Sequence, residues 1–140
     1  MGASGLPAAR ARKIGEKRRK ARGRDLAKRD LTGAVDFAYL EDFAAGDLGV
    51  VEEVLSLFRQ QADLWSGMLR PEFEGWRDAV HTIKGAARGV GAFALGEACA
   101  LAEIHGVARI AGVRHALDLA LADISAYEHE LALRSLRGNS

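Results

Sequence analysis

A single cysteine, Cys99, occurs in 140 residues, so no disulfide can form within the chain. Such sparing use of thiols fits a reducing compartment, and a cytoplasmic location is expected. Two prolines leave long stretches free of helix breakers, and aromatic residues make up only 6%, with Trp65 and Trp76 read as core and not as binding platforms. No apolar run approaches the roughly 20 residues that a membrane-spanning helix needs. The opening MGASGLPAARARKIGEKRRK lacks the apolar block of a secretory signal, and Leu6 stands where a myristoylation motif wants a hydroxyl. No two histidines have zinc-ligand spacing, and no glycine-rich phosphate loop is present. The sequence therefore gives no sign of a resident metal or a nucleotide.

What is present is alanine, leucine and charge. With 49% hydrophobic and 28% charged residues the chain reads as one globular, helical domain. Its charge is unevenly spread. Residues 1–30 carry eleven basic and three acidic side chains, against nine basic and sixteen acidic in the remainder. Residues 1–34 are read as a basic extension of helix-forming but mostly polar residues, and 137–140 as a tail. Nucleic acid is not the expected partner, because no aromatic residue is interleaved among the bases.

Apolar spacing divides residues 35–136 into helices. A short one covers VDFAYLEDFAAGD, with Phe37, Leu40 and Phe43 or Ala44 inward and Gly46 as its stop. Asp47 can cap the next, where Leu48, Val51, Leu55, Phe58, Ala62, Trp65 and Leu69 alternate three and four apart. Pro71 ends that helix. Another is expected over about Glu72 to Val90, its buried stripe running through Trp76, Val80, Ile83 and Ala87. AFALGEACALAEI makes a fourth, with Phe93, Leu95, Ala98, Cys99 and Ala102 inward and His105-Gly106 near its end. The last runs from about Val107 into the 130s, burying a stripe from Ile110 to Leu131. Four amphipathic helices with short connections imply an all-α antiparallel four-helix bundle, with the first short helix packed as a lid.

One exposed stripe stands out. A helix turns about 100° per residue, which puts Lys84, Gly85 and Arg88 within about 60° of His81 and away from the buried side. His81 should therefore face solvent between two cations, beside a position without a β-carbon. Neutral imidazole is a nucleophile, and the cations would favour an anionic incoming group, phosphoryl best of all. Glycine inside a helix costs about 1 kcal/mol relative to alanine. Its presence at Gly85 is explained if another protein's active site must approach the imidazole closely. His105, His115 and His129 lack comparable neighbours, and Cys99 reads as core packing.

At HTIKGAARGVG the sequence resembles the histidine-containing phosphotransfer (HPt) domain family, whose motif is H-x-[LI]-K-G with a further glycine six residues on. His81, Ile83, Lys84, Gly85 and Gly91 fill every position. The likeness extends from about Asp36 to Leu133 and takes in the AAGD lead-in, the Phe58 helix, Cys99 and Glu103. It implies a phosphorelay intermediate: His81 as phosphoacceptor, Lys84 beside the phosphoryl oxygens, Gly85 clearing the docking surface and Gly91 shaping the site. Arg88 lies outside the motif, and a phosphoryl contact for it rests on helix geometry alone.

The implied partners are receiver domains of a hybrid histidine kinase and of a response regulator, in a bacterial two-component system. The carrier needs no cofactor of its own, and Mg²⁺ belongs to the receiver. Two other readings compete, the phosphoacceptor and dimerisation part of a histidine kinase and an inert receiver-binding adaptor. Against the kinase reading, no proline follows His81 nearby and no ATP-binding domain is visible. One complete bundle per chain suggests a monomer.

Overall fold

The computed structural model describes residues 33–138, so residues 1–32 of the basic extension lie outside the described part. Among the described residues the chain is helical throughout, with no strand. We label the helices α1 (Phe37–Phe43), α2 (Leu48–Met68), α3 (Trp76–Val90), α4 (Phe93–His105) and α5 (Ile110–Gly138), with a 3-10 turn at Gly106–Arg109. Each of α2 to α5 packs on the next, and α5 closes back on α2, so α3 and α5 stand diagonally across an antiparallel four-helix bundle.

The caps follow from the side chains. The Asp47 carboxylate accepts from the backbone N–H groups of Gly49 and Val50 and starts α2 as its sequence suggests. Asp36 does the same for α1 by accepting from Tyr39 N–H at 3.1 Å. Helix α2 stops at Met68, ahead of Arg70, whose position before Pro71 disfavours helical backbone. Two turn hydrogen bonds, Phe73 N–H to Arg70 and Trp76 N–H to Phe73, then carry the chain to α3. That helix consequently opens at Trp76 and not at Glu72.

The expected stripes form the core: Leu55, Ile83, Cys99, Leu117 and Ile124 are fully enclosed, and both tryptophans are buried. Two residues expected inward are not, and of the alternatives Phe43 and Ala44 the outward one is Phe43. Leu48 and Phe93 are partly exposed, and Phe43 is well exposed. All three sit at helix ends, where neighbouring helices no longer cover the full circumference. Ala44 takes the inward place beside Phe43, and Phe93 lies edge-on to Tyr39 with ring centroids 5.1 Å apart.

Helix α1 is fastened to α5 by three contacts. Phe37 stacks on Tyr127 at 4.0 Å, the Tyr127 hydroxyl donates to Glu41, and Val35 N–H donates to Asp123 at 2.9 Å. At the other end of the bundle Gly106, at φ +88°, breaks the chain between α4 and the 3-10 turn. Helix α5 continues through residues read as a tail, and from Ala132 to Gly138 every residue is exposed.

Candidate functional site

His81 lies midway along α3 with its side chain 74% exposed. Ile83, Ala87 and Val80, on the same helix, are sealed in the core, so the helix turns the imidazole outward as its periodicity requires. The ring is not isolated. Its Nδ1 lies 2.8 Å from Oε2 of Glu103 on α4. The other oxygen of that carboxylate, Oε1, accepts from the Lys84 ammonium at 2.5 Å. One carboxylate thus joins the histidine and the lysine, and both of its oxygens are used. With Nδ1–H donated to Glu103, the proton sits on that nitrogen and the lone pair of Nε2 points to solvent.

Lys84 holds the Glu103 carboxyl below its ordinary range, chiefly through this hydrogen bond, and the one from His81 adds to it. Both supporting groups are better covered than the imidazole, at 20% exposure for the lysine and 27% for the glutamate. Arg77, one turn before His81, strengthens the frame from the side. Its guanidinium lies over the Trp76 ring, 4.6 Å from the centroid, and donates to the Glu103 carbonyl at 3.5 Å.

Gly85 lies in the open, where a β-carbon would find no atom within 4 Å. Beyond it, Gly89 and Ala86 form one wall of an apolar groove of about 300 Å³, whose opposite wall is Val54, Leu57 and Trp65 of α2. The imidazole therefore stands between a charged margin toward α4 and an apolar margin toward α2. Gly91, by contrast, is buried and closes α3. Its φ of +89° is a left-handed cap, and its carbonyl accepts from Asp36 N–H. Arg88 is exposed, yet its stem lies across Gly96 of α4, where a β-carbon would meet Cγ at 3.2 Å. Among the described residues no hydrogen bond or ion pair ties it to His81 or Glu103.

His81, Lys84 and Gly85 thus share one exposed patch, while Gly91 belongs to the joint with α1. Glu103 is the central residue that the helical stripe alone does not reveal. A signal for it exists in the numbering. The α3–α4 hairpin reverses at Gly91-Ala92, and His81 and Glu103 are both eleven residues from Ala92. Residues equally far from the turn of an antiparallel hairpin meet across it.

Among the described residues no group of three or more His, Cys, Asp or Glu side chains could hold a metal ion, and no helix is long and apolar enough to cross a membrane. No protein-family model matches the chain, and no curated protein matches it. Among solved structures it is similar to histidine phosphotransferase ShpA from Caulobacter crescentus, with 68% identity and a TM-score of 0.71. The match covers 74% of this chain and 99% of that one.

Proposed function

The chain belongs to the histidine phosphotransferase family, and from that premise we propose that it carries phosphoryl groups on Nε2 of His81 between aspartates of receiver domains. The observation that carries this reading is the single carboxylate bridging His81 and Lys84, which leaves one ring nitrogen free, basic and facing solvent.

The chemistry follows from that arrangement. The Nε2 lone pair attacks phosphorus of a receiver's aspartyl phosphate; the N–P bond forms as the bond from phosphorus to the carboxylate oxygen breaks. The ring keeps its proton on Nδ1 and gains positive charge, which the Glu103 carboxylate 2.8 Å away offsets. Lys84 spends one ammonium hydrogen on Glu103 and has two more for phosphoryl oxygens. Transfer onward is the reverse, with a receiver carboxylate attacking phosphorus and the lone pair returning to Nε2. Mg²⁺ is expected from the receiver.

A receiver must come within bonding distance of an imidazole on a helix flank. The open space over Gly85 permits that approach, and the groove between α2 and α3 supplies apolar surface to bury beside it. The partners are accordingly receiver domains of a hybrid kinase and of a response regulator in a bacterial relay.

The test is transfer itself. Incubated with a receiver phosphorylated on aspartate, the chain should acquire label that is acid-labile and alkali-stable, as a phosphorus–nitrogen bond requires. His81→Gln should acquire none while its helical circular dichroism is unchanged. Labelling of the chain by ATP alone would instead favour a kinase, and binding of receiver without label an adaptor.

A further inference from the structure

Glu103 has three oxygens that can accept hydrogen bonds, and three side chains of α3 take one each. Oε2 accepts from His81 Nδ1–H at 2.8 Å, and Oε1 from the Lys84 ammonium at 2.5 Å. The third oxygen, the backbone carbonyl, accepts from the Arg77 guanidinium at 3.5 Å. Residues 77, 81 and 84 are four and three apart on one helix. At 100° per residue, Arg77 and Lys84 lie about 40° and 60° from His81, both on the same side. One stripe of α3 therefore grips a single residue of α4 at both ends, main chain and carboxylate.

The carbonyl needs that partner. Glu103 lies in the last turn of Phe93–His105, where carbonyls find no N–H within their own helix. Gly106, at φ +88°, then turns the chain away. The guanidinium lies across this reversal. Its Nη1 donates to Glu103, and its Nη2 is 4.0 Å from where a β-carbon on Gly106 would stand. A cation at this place also suits the negative end of a helix. One face of the guanidinium rests on the Trp76 ring, 4.6 Å from the centroid, and Trp76 is itself buried in the core. An arginine that meets solvent is thus seated at two points.

The seat bears on the chemistry of the imidazole. His81 and Lys84 act on the flexible end of the glutamate side chain, whereas Arg77 acts on the backbone beneath it. Helix ends fray, and a carboxylate carried on a fraying turn holds no fixed place. We propose that Arg77 is a positioning residue for phosphoryl transfer: it holds the Glu103 main chain, so that the carboxylate stays where Nδ1–H of His81 donates and Nε2 keeps its lone pair. It acts on the ring only through Glu103. The kinetic consequence rests on the phosphocarrier reading, while the effect on the ring proton belongs to this chain alone.

Nitrogen-15 NMR of the full chain in mildly alkaline buffer reads which nitrogen of His81 carries the proton. The parent should be chiefly Nδ1–H. Arg77→Ala should lower the ratio of Nδ1–H to Nε2–H about threefold, the scale of an exposed cation–π seat. Arg77→Lys, which can still donate and lie over the ring, should recover part of it. A parent ring protonated chiefly on Nε2, or an unchanged ratio in Arg77→Ala, overturns the proposal.

Transfer from a phosphorylated receiver should slow about threefold to tenfold in Arg77→Ala. Placed in a Glu103→Ala chain, the same change should slow transfer no further, because the residue it positions is gone. Equal slowing with and without Glu103 would mean a general structural role or direct contact with the phosphoryl group, and overturns the proposal too. A parent that takes no label sinks the carrier reading instead, and the tautomer ratio then decides the role of Arg77 by itself.

Discussion

The carbonyl oxygen of Asp36 stands 2.7 Å from where a β-carbon on Gly91 would lie, and Asp36 N–H donates to the Gly91 carbonyl at 2.9 Å. The end of α3 and the start of α1 are thus built against each other, with glycine the residue that fits. Gly91→Ala would meet both a left-handed backbone and this contact, and should destabilise the fold by about 2–4 kcal/mol. Urea unfolding measures it. At temperatures where the variant is still folded, labelling of His81 should remain substantial, because the site lies more than two turns away. A variant as stable as the parent would show that the α1–α3 joint is not as described.

Gly85 should behave in the opposite way. It is exposed and nothing lies within 4 Å of its absent side chain, so Gly85→Ala gains helix propensity, about 1 kcal/mol, without a clash. A longer side chain at the same place would occupy the approach to Nε2. Gly85→Leu is expected to keep or raise the melting temperature while slowing transfer from a phosphorylated receiver by at least about tenfold. Normal transfer by the leucine variant would mean that receivers approach from another side.

Glu103 is open to direct titration. Lys84 and then His81 hold its carboxyl below the usual glutamate range. Because the folded value is the lower one, the pair's contribution to stability is complete above the ordinary range and is lost as pH falls through the folded value. Carbon-detected NMR of the Glu103 carboxyl should therefore show an acid-shifted midpoint, and Lys84→Met should move it back upward. In transfer, Glu103→Ala is expected to cost about tenfold to a hundredfold through loss of ring orientation. Glu103→Gln should retain part of the rate, since its amide oxygen still accepts from Nδ1–H. An unmoved midpoint in Lys84→Met would contradict the bridge.

Sequence periodicity specifies the middle of this fold better than its edges. Val51, Leu55, Phe58 and Ala62 repeat at helical spacing and are buried because helices surround them on several sides. Phe43, Leu48 and Phe93 obey the same spacing but sit in terminal turns, where cover depends on how the chain arrives. The start of α3 shifted to Trp76 for a similar reason: turn bonds after Pro71 hold the backbone that helix-forming residues would otherwise continue. At the site, the exposed stripe of His81, Lys84 and Gly85 follows from a 100° turn per residue. Glu103 does not, because it comes from a second helix whose register is set by the reversal at Gly91-Ala92. Arg88 shows a limit of the stripe argument. A long side chain can share a face yet lie elsewhere, here over the bare backbone of Gly96.

Cys99 offers a test of how tightly α4 is seated, since the carboxylate that orients His81 stands on the next turn of that helix. The thiol is fully buried, and its pKa is pushed up to about 12, first by burial and then by the nearby negative charge of Glu103. The reactive form of cysteine is the thiolate, so the folded protein at pH 8 should hardly react with a disulfide reagent. One equivalent should react rapidly once guanidinium unfolds the chain. Between these limits the rate of labelling is expected to follow global unfolding, Cys99 being fully enclosed on the inner face of α4. Gly91→Ala should then accelerate it in proportion to the stability lost in urea. Rapid labelling of the native parent would mean that α4 leaves the bundle readily, and a carboxylate carried on so mobile a helix could not hold one nitrogen of His81 protonated.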